Sequence, residues 1–485
     1  MGTGLQCRGG RFFYNDQPVF ISSIDCETLV ADTRFDLYGM LDLFVRHGFN
    51  KIRLWGHSWM GVWTGPPEVF MRPWKPVPGP GGWCGMRWDL DQWNDAYWNR
   101  MRDFCEAALE RNFIVEISLF AEWVKDFPHP FHVRDIPSHY WWRDELFRPE
   151  WNSKFNVNGA FTTNANDDFW PEFFDLNHSE RSTSGKTLQD YQQAYIDKVI
   201  EEFDEFPNVY YELFNEFVPF GQQKDEVAGN IQVADWQNHW AEYLKTHSQR
   251  MVGVHAHQIG WQQSGAIGVE NFQSKPFIDI LNFHWYGDDP LVIANTARPL
   301  HQFGKPLANN EGEWHGVTGP ALDDDAWATR ITRSNWGQFM AGSHNSYTEF
   351  PPEAGNPRWI KSAERFKALR TIAGSMKFTE LQPVDEKNEL FDSLITQGPA
   401  KHWRLIANPG QEYLAYFWYE GSAKSVRIAL PEGEYHFEWY DTRNARNLLV
   451  GDAEKTGEDF TIGSPPLTVW DENAGVALVI RRKEA

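Results

Sequence analysis

The sequence predicts a (β/α)8 barrel followed by a smaller antiparallel β-sandwich, and three observations lead to this fold class. Up to about residue 375, eight short apolar segments alternate with helical segments, and eight parallel strands are the number that closes such a barrel. Two segments that are too long for ordinary connections interrupt the alternation, as loops inserted into a barrel do. After residue 375, short strands follow one another across turns without helices, which is typical of a sandwich.

The two predicted domains are therefore a catalytic barrel over residues 1–375 and an accessory sandwich over residues 376–485. Barrel strands are predicted from runs of aromatic and β-branched residues bounded by Gly, Pro, Asn or Asp. Helices are predicted from apolar residues that recur every three or four positions, and Asp89 or Asp91 is expected to cap the second helix. The predicted barrel strands comprise residues 21–24, 51–55, 113–119, 209–214, 251–255, 278–284, 306–311 and 341–347.

The two long insertions, residues 56–87 and 120–186, are rich in tryptophan. In a barrel they would be elaborated loops on the catalytic face, where the loops after the strands converge. The tryptophans of the first loop either line a groove or form a small core of their own, and the sequence leaves both interpretations open. They are Trp59, Trp63, Trp74 and Trp83.

The composition restricts the class of partner. The net charge of −22 argues against nucleic acid or an anionic membrane, because both attract basic surfaces. A neutral carbohydrate is compatible with this charge, and the 25 Trp, 16 Tyr and 35 Phe residues offer flat apolar faces that suit sugar rings. The sequence says nothing about the oligomeric state.

Neither a membrane helix nor a targeting segment is predicted. No apolar run approaches the ~18–20 residues that a membrane helix requires, and the N-terminus lacks the pattern of a signal peptide. The compartment is left open between secreted, periplasmic and cytoplasmic. The four cysteines contain no metal-type CxxC pattern and are expected to be reduced thiols; they are Cys7, Cys26, Cys84 and Cys105.

Two predicted strands end in a carboxylate. The strand at 209–214 is followed by Asn215 and Glu216, and the strand at 306–311 ends in Glu311. Two carboxyl groups at the tips of separate parallel strands are what glycosidic cleavage needs, one to protonate the leaving oxygen and one to attack the anomeric carbon. Glu313 is a rival to Glu311, and the spacing from the preceding proline favours Glu311.

These residues resemble those of the glycoside hydrolases of clan A, the retaining, cellulase-like (β/α)8 enzymes. The similarity covers most of residues 10–373, and the C-terminal segment is similar to the sandwich of apiosidase-like members. The resemblance rests on four features: Asn215-Glu216 ending strand four, His284-Trp285-Tyr286 on strand six, Lys305-Pro306 followed by Glu311 on strand seven, and Arg53 on strand two.

The resemblance implies a role for each of these side chains. Glu216 is the expected general acid/base and Glu311 the expected nucleophile. Tyr286 is expected to donate to the nucleophile, Arg53 to keep it anionic, and Asn215 to bond the sugar 2-hydroxyl group.

Three further residues are expected to bind substrate: His57, His284 and Trp314. No cofactor and no metal are implied. Clan members commonly carry a tryptophan on strand eight, which is missing here, so Trp314 or Tyr347 is expected to supply the floor of the sugar site instead.

The sequence therefore predicts a retaining glycoside hydrolase that cleaves β-type bonds of an oligo- or polysaccharide through a covalent glycosyl-enzyme. Three other functions compete with it. A transglycosidase would use the same residues, and a carbohydrate-binding barrel would have lost the chemistry. A metal-dependent barrel hydrolase would use His255, His257 and His284 with a carboxylate, since His-Ala-His places two imidazoles on one face of a strand.

Overall fold

The computed structural model describes residues 4–56, 69, 71–83, 86–121, 171–179, 181, 182, 184–215, 226–256, 271–312, 322–348, 355–384, 403–418, 425–428, 430–457, 461–466 and 474–483. The first domain contains the strands β1 (Leu5–Arg8), β2 (Arg11–Tyr14), β3 (Gln17–Pro18), β4 (Ser23–Asp25), β5 (Lys51–Trp55), β6 (Trp74–Trp83), β7 (Met86–Trp93), β8 (Ile114–Ala121), β9 (Val209–Asn215), β10 (Val252–His255), β11 (Ile280–His284), β12 (Leu307–Glu311) and β13 (Ser343–Thr348). Its helices are α1 (Leu37–Arg46), α2 (Asp95–Glu110), α3 (Pro171–Phe174), α4 (Leu188–Phe203), α5 (Glu226–His247), α6 (Pro290–Ala297), α7 (Asp324–Met340) and α8 (Pro357–Gly374), with a 3₁₀ helix at Arg298–Phe303 after α6.

Eight of the described strands form a closed parallel barrel in the order β4, β5, β8, β9, β10, β11, β12, β13, and β13 pairs with β4. Each corresponds to one of the predicted barrel strands, so the predicted fold class is confirmed. The strands could be predicted because their outward-facing residues are apolar and pack against the helices. Because all eight strands are parallel, their C-terminal ends meet at one mouth.

The other end of the barrel is closed by the antiparallel sheet β1–β2–β3. Phe12 of this sheet packs with Ile21, Ile114 and Tyr210 in a buried cluster. His344 lies at this closed end, with its ring 5.1 Å from that of Phe12. The reason is its position near the start of β13, far from the C-terminal end of that strand.

The second helix begins later than predicted. Its cap is Asn94, and both Asp89 and Asp91 lie in β7, which pairs with β6 in an antiparallel ribbon. The prediction of a cap at Asp89 or Asp91 was therefore wrong. The tryptophan-rich insertion forms secondary structure of its own, and an aspartate in a strand resembles a helix cap in sequence.

Trp74 is the tryptophan of this insertion whose surroundings the structure describes. It is buried, and its ring lies 5.7 Å from Trp93 and 5.1 Å from Tyr195 of α4. Trp74 is thus a core residue and does not line a groove. Trp59 and Trp63 lie outside the described residues.

The C-terminal domain is antiparallel, as predicted. Its strands are β14 (Gln382–Pro383), β15 (Trp403–Asn408), β16 (Glu412–Phe417), β17 (Ser425–Arg427), β18 (Gly433–Asp441), β19 (Arg446–Lys455), β20 (Thr461–Gly463) and β21 (Val476–Arg482). A six-stranded sheet in the order β14–β15–β16–β21–β18–β19 faces a two-stranded sheet, β17–β20, across a shared apolar cluster.

The outer face of the six-stranded sheet packs on the barrel. Trp336 of α7 stacks on Tyr416 of β16 with ring centroids 5.0 Å apart, and Tyr416 stacks on Trp418 at 5.2 Å. Arg11 of β2 adds a polar contact, because its Nη2 donates to the Leu381 carbonyl oxygen at 2.8 Å. A buried apolar cluster that includes Trp336 and Tyr416 thus joins the two domains.

Among the described helices, none is long and apolar enough to cross a membrane. Of the cysteines that the structure describes, Cys7 and Cys105 are free thiols, and Cys26 is buried. Cys84 lies outside the described residues.

His344 supplies a prediction about acid stability. Burial, with help from Arg11 and Lys51, lowers the pKa of His344 from 6.5 to about 3. The folded protein therefore takes up this proton less readily than the unfolded chain. Stability from the neutral ring is fully present above pH 6.5 and is lost as the pH falls toward 3, by about 1.4 kcal/mol per pH unit.

Leu at position 344 would suit the contacts with Phe12 and Phe20. The His344→Leu substitution is expected to reduce the fall in the free energy of unfolding between pH 6.5 and pH 4.5 by about 2–3 kcal/mol. Urea denaturation of both proteins at the two pH values measures the difference. An equal fall in the parent and the variant would contradict the assignment.

Candidate active site

Arg53 of β5 is the centre of the barrel mouth. Its side chain is fully buried, and its guanidinium group reaches three carboxyl groups and one amide on three other strands. Nε donates to Glu212 Oε2 at 2.8 Å, and Nη2 donates to Asn215 Oδ1. Nη1 lies 3.3 Å from both oxygens of Asp25 and 3.5 Å from Glu311 Oε2. One cation therefore ties together the ends of β4, β9 and β12.

Glu212 is held as a buried anion below this guanidinium group. Besides Arg53, it accepts from Asn282 Nδ2 at 2.9 Å and from Asn310 Nδ2 at 2.6 Å. Burial acts to raise the pKa of Glu212, but Arg53 and the Asn310 amide outweigh it, so the pKa lies below its usual value. Glu212 is thus ionised at neutral pH and fixes the orientation of Arg53.

A second ion pair lies deeper in the barrel. Lys51 Nζ is 2.5 Å from Glu116 Oε2, and both side chains are buried. Glu116 Oε1 also accepts from Asn282 at 2.9 Å and from Asn310 at 3.0 Å. The same two amides therefore connect Glu116 to Glu212. Removing one partner of such a network leaves a buried charge without compensation, which is costly.

A β-bulge directs Glu311 to the mouth. The pairing of β11 with β12 runs from Leu281 opposite Leu307 to Phe283 opposite Asn309 and then shifts, so that His284 faces Glu311. The extra residue is Asn310, whose amide points inward to Glu212. Bulges re-aim side chains next to active sites. Here the bulge lets two consecutive residues of β12 both contribute to the polar network.

Glu311 is buried among polar groups. Tyr286 donates its hydroxyl proton to Glu311 Oε1 at 2.7 Å, and His284 Nδ1 lies 3.4 Å from Oε2. Burial lowers the pKa of His284 to about 4, although Glu311 opposes this shift. His284 is therefore neutral at neutral pH, and the positive charge beside Glu311 is that of Arg53.

Asn309 at the mouth orients the neighbouring loop after β11. Asn309 accepts from the Trp285 backbone N–H at 2.8 Å and donates to its carbonyl oxygen at 3.0 Å and to Asn345 Oδ1 at 2.7 Å. This pair of hydrogen bonds to the Trp285 backbone positions the segment that carries Tyr286.

Asn215 offers a hydrogen-bond donor at the mouth. Its side-chain Nδ2 is buried and has no hydrogen-bond partner among the described residues, so a donor is available beside Arg53.

The structure brings five of the predicted site residues together: Arg53, Asn215, His284, Tyr286 and Glu311. Their roles in catalysis stay predictions. The other three lie outside the described residues: His57, Glu216 and Trp314. Tyr347 does not supply the floor of the sugar site, because it is fully buried and its ring packs 6.1 Å from Phe366 of α8, on the outside of the barrel.

The residues that support the site were not predicted from the sequence. They share one signal, which is a charged or amide side chain inside a strand that is otherwise apolar. Such a group is buried only with a partner, so each predicts another on a neighbouring strand. The missed residues are Asp25, Lys51, Glu116, Glu212, Asn282 and Asn310.

Two groups of residues bear on metal binding. Asp25, Glu27 and Glu311 each offer a carboxylate oxygen, and these atoms lie within 4.8 Å of one another. The rings of His255 and His284 approach to 4.5 Å, while His257 lies outside the described residues. All three carboxylates of the triplet are buried, and a carboxylate donor set suits Mg²⁺ or Ca²⁺ better than zinc.

Comparisons with known proteins agree with the fold. Neither the protein-family models nor the curated proteins compared with the sequence produced a match. Among solved structures, a candidate glycoside hydrolase from Bacteroides vulgatus has a TM-score of 0.63 at 13% identity, over 99% of this chain and 82% of that one. A glycoside hydrolase family 5 protein from the same organism has a TM-score of 0.58 at 12% identity, over 99% and 93%.

An endo-1,4-β-mannanase from Rhizomucor miehei has a TM-score of 0.50 at 13% identity, over 75% of this chain and 99% of that one. At these identities the comparisons show the fold. The chain has the fold of the (β/α)8 glycoside hydrolases to which these proteins are assigned.

Tyr286 provides a test of the Glu311 environment. Replacing it by Phe removes the 2.7 Å hydrogen bond to Oε1, and a hydrogen bond to a charged group contributes about 1.5–3 kcal/mol. If Glu311 leaves a covalent intermediate as a carboxylate, the loss slows that step, and kcat is expected to fall roughly 10–100-fold with a parallel fall in KM.

Rapid-mixing kinetics on an activated aryl glycoside would show the intermediate accumulating as a burst. Tyr435→Phe is the matched control, because its hydroxyl donates to the Pro431 carbonyl oxygen in the sandwich. Equal kinetics in the Tyr286→Phe variant and the parent would contradict the assignment.

Proposed function

We propose that the protein is a retaining glycoside hydrolase that cleaves β-type glycosidic bonds in an oligo- or polysaccharide. One observation supports this most strongly: the guanidinium group of Arg53 contacts both Asn215, the residue before Glu216, and Glu311. The tips of the two predicted carboxylate-bearing strands therefore converge on one group. That convergence is what two carboxyl groups acting on a single anomeric carbon require.

In the first step Glu311 attacks the anomeric carbon while Glu216 protonates the leaving oxygen. The bond from the anomeric carbon to that oxygen breaks, and a glycosyl ester with Glu311 forms. Arg53 and Tyr286 hold Glu311 as an oriented carboxylate before the attack. The unpartnered side-chain Nδ2 of Asn215 is placed to donate to the 2-hydroxyl group, a contact that strengthens in the transition state.

In the second step Glu216, now a carboxylate, takes a proton from water, and the water oxygen attacks the anomeric carbon. The ester bond breaks, and Glu311 leaves as a carboxylate. The sugar keeps its original configuration after two inversions. Arg53 and Tyr286 act again here, because negative charge returns to Glu311 in this step.

The substrate that we propose is a neutral β-linked glycan. The chain carries a net charge of −22, which disfavours acidic polymers. The mannanase named above acts on a β-1,4-linked polysaccharide, which places such glycans in the first panel to test.

The test is a panel of aryl β-glycosides and plant and microbial polysaccharides, with the product followed by NMR from the first minutes. The expected result is turnover that releases the β-anomer first, before mutarotation. Initial release of the α-anomer from a β-glycoside would contradict double displacement. Absence of turnover across the panel together with tight glycan binding would favour a carbohydrate-binding barrel. Added alcohols that capture most of the sugar would identify a transglycosidase.

A further inference from the structure

Tyr286 lies beyond the part of the barrel that the sheet itself fixes. Strand β11 ends at His284, which forms its last pair with β12, and Tyr286 follows two residues later. Backbone that has left a sheet is placed by the hydrogen bonds that its N–H and C=O groups make instead. The Tyr286 hydroxyl group nevertheless lies 2.7 Å from Glu311 Oε1. The contacts of residues 285–288, the Tyr286 segment, therefore decide how well that hydrogen bond is formed.

Arg330 of α7 binds the Tyr286 segment directly. Its Nη2 donates to the Tyr286 carbonyl oxygen at 2.6 Å, and its Nη1 lies 3.6 Å from Asp288 Oδ1. Arg333, which is three residues further along the same helix, lies 3.6 Å from the other oxygen of Asp288. The planar guanidinium group of Arg330 thus spans two residues of the segment with donors in a fixed geometry.

The same helix also reaches the Tyr286 segment through a relay of buried amides. Asn345 of β13 donates to Asn335 Oδ1 of α7 at 2.7 Å and accepts from Asn309 at 2.7 Å. Asn309 in turn holds the backbone N–H and C=O groups of Trp285. All three asparagines are buried, where hydrogen bonds are stronger than in water. Helix α7 therefore holds two consecutive residues of the segment, Trp285 and Tyr286.

Helix α7 is itself firmly placed. Its Trp336 stacks on Tyr416 of the sandwich with ring centroids 5.0 Å apart. Its Gly337 packs against the first residue of α6, since a Cβ atom at position 337 would come 3.0 Å from the Cα atom of Pro290. Because α6 begins directly after Asp289, the position of α7 also fixes where the Tyr286 segment has to end.

We propose that Arg330 is a positioning residue for the nucleophile and that it acts through Tyr286. By holding the carbonyl group of Tyr286, Arg330 fixes the backbone from which the ring extends. The ring carries the hydroxyl group that donates to Glu311. This inference rests on the proposed roles of Tyr286 and Glu311.

The consequence for the reaction concerns the charge that returns to Glu311. When Glu311 leaves the glycosyl ester, the Tyr286 hydroxyl group has to meet the new carboxylate at hydrogen-bond distance. Loss of the Arg330 contact shifts this hydroxyl group without removing it, and a misplacement of about 1 Å is costly in catalysis. The effect of losing Arg330 should therefore resemble that of losing the hydroxyl group and be smaller.

The first experiment is a double-mutant cycle on an activated aryl β-glycoside. Arg330→Met is expected to lower kcat about 3–30-fold with a parallel fall in KM. In the Tyr286→Phe background the same substitution should lower kcat less than about twofold, because the hydroxyl group through which Arg330 acts is already gone. Arg330→Lys keeps a donor for the Tyr286 carbonyl oxygen and should retain more activity than Arg330→Met. Equal losses from Arg330→Met in the two backgrounds would overturn the proposal.

Arg370→Met is the matched control. Arg370 of α8 is also a partly buried helix arginine, and it donates to the Gly48 carbonyl oxygen at 2.8 Å. Gly48 lies between α1 and β5, at the closed end of the barrel. Arg370→Met should therefore lower the Tm as Arg330→Met does and leave kcat and KM unchanged. The same kinetic change in both variants would mean a general loss of stability and would overturn the proposal.

The second experiment does not depend on activity. Hydrogen–deuterium exchange, followed by mass spectrometry, reports on the backbone amides of residues 285–289. We expect their exchange to be about tenfold faster in Arg330→Met than in the parent and unchanged in Arg370→Met. Unchanged exchange in Arg330→Met would overturn the proposal. If the parent has no glycosidase activity, the proposed function fails, while the exchange rates still decide whether Arg330 holds the Tyr286 segment.

Discussion

Replacing Glu311 by Gln is expected to lower the turnover of an aryl glycoside by about 10⁴-fold or more. The amide keeps the shape of the carboxyl group, but it cannot form the glycosyl ester, so double displacement stops at its first step. The fold should persist, because Arg53 retains Glu212 as its principal partner. The measurement is kcat/KM for the parent and the variant at several pH values.

Azide distinguishes the nucleophile from other essential residues. In Glu311→Ala a small anion can enter the space that the carboxylate leaves and attack the anomeric carbon directly. We expect azide to restore turnover of an aryl β-glycoside with a good leaving group and to yield the α-glycosyl azide, since a single displacement inverts the configuration. In Glu216→Ala the same reagent would intercept the glycosyl ester and yield the β-azide.

The control for these variants is Glu202→Gln. Glu202 is a buried glutamate of α4 that pairs with Lys198 at 2.5 Å on the outside of the barrel, and its replacement should leave kcat/KM unchanged. A Glu311→Gln variant with more than about a tenth of the parent activity would exclude Glu311 as nucleophile and leave Glu313 as the candidate nucleophile.

Replacing Arg53 by Met is expected to lower the free energy of unfolding by about 3–5 kcal/mol, because it leaves Glu212 as a buried anion without its cation. The barrel should also lose activity, since Asn215 and Glu311 lose the group that joins them. Urea denaturation followed by tryptophan fluorescence measures the stability.

Two further variants separate the cause of that loss from a general effect of losing an arginine. Arg8→Met removes a half-exposed surface pair with Asp16 and is expected to cost only ~0–1 kcal/mol. Adding Glu212→Gln to Arg53→Met should recover part of the stability, because it removes the uncompensated charge. A double variant that is less stable than Arg53→Met alone would contradict this explanation.

The alternation of strands with helices was predictable because it depends on local sequence patterns. A buried parallel strand is a short apolar run between turn residues, and the eight runs found in the sequence are the eight strands of the barrel. The insertion at 56–87 was not predictable in the same way. Its ribbon, β6 with β7, is formed by pairing within an irregular sequence, and Asp89 in β7 has the local features of a helix cap.

The site was partly predictable for a different reason. Asn215, His284 and Glu311 end their strands and Tyr286 follows closely, in a recognisable order, and parallel strands bring such ends together. Asp25 and Glu212 carry no such motif. Their importance comes from the partners that face them across the barrel, which no spacing along the chain reveals.

The amino-acid sequence by itself determined the barrel, the antiparallel second domain and the carboxylate at the tip of β12, because hydrophobic period and turn residues act over short distances. The tertiary structure alone decided that a bulge at Asn310 turns Glu311 toward Arg53, and that Glu212 shares the same guanidinium group. It also decided that His344 lies at the closed end. The physical reason is that a buried charge is stabilised by groups distant in sequence, whose approach exists only after the strands have closed into a barrel.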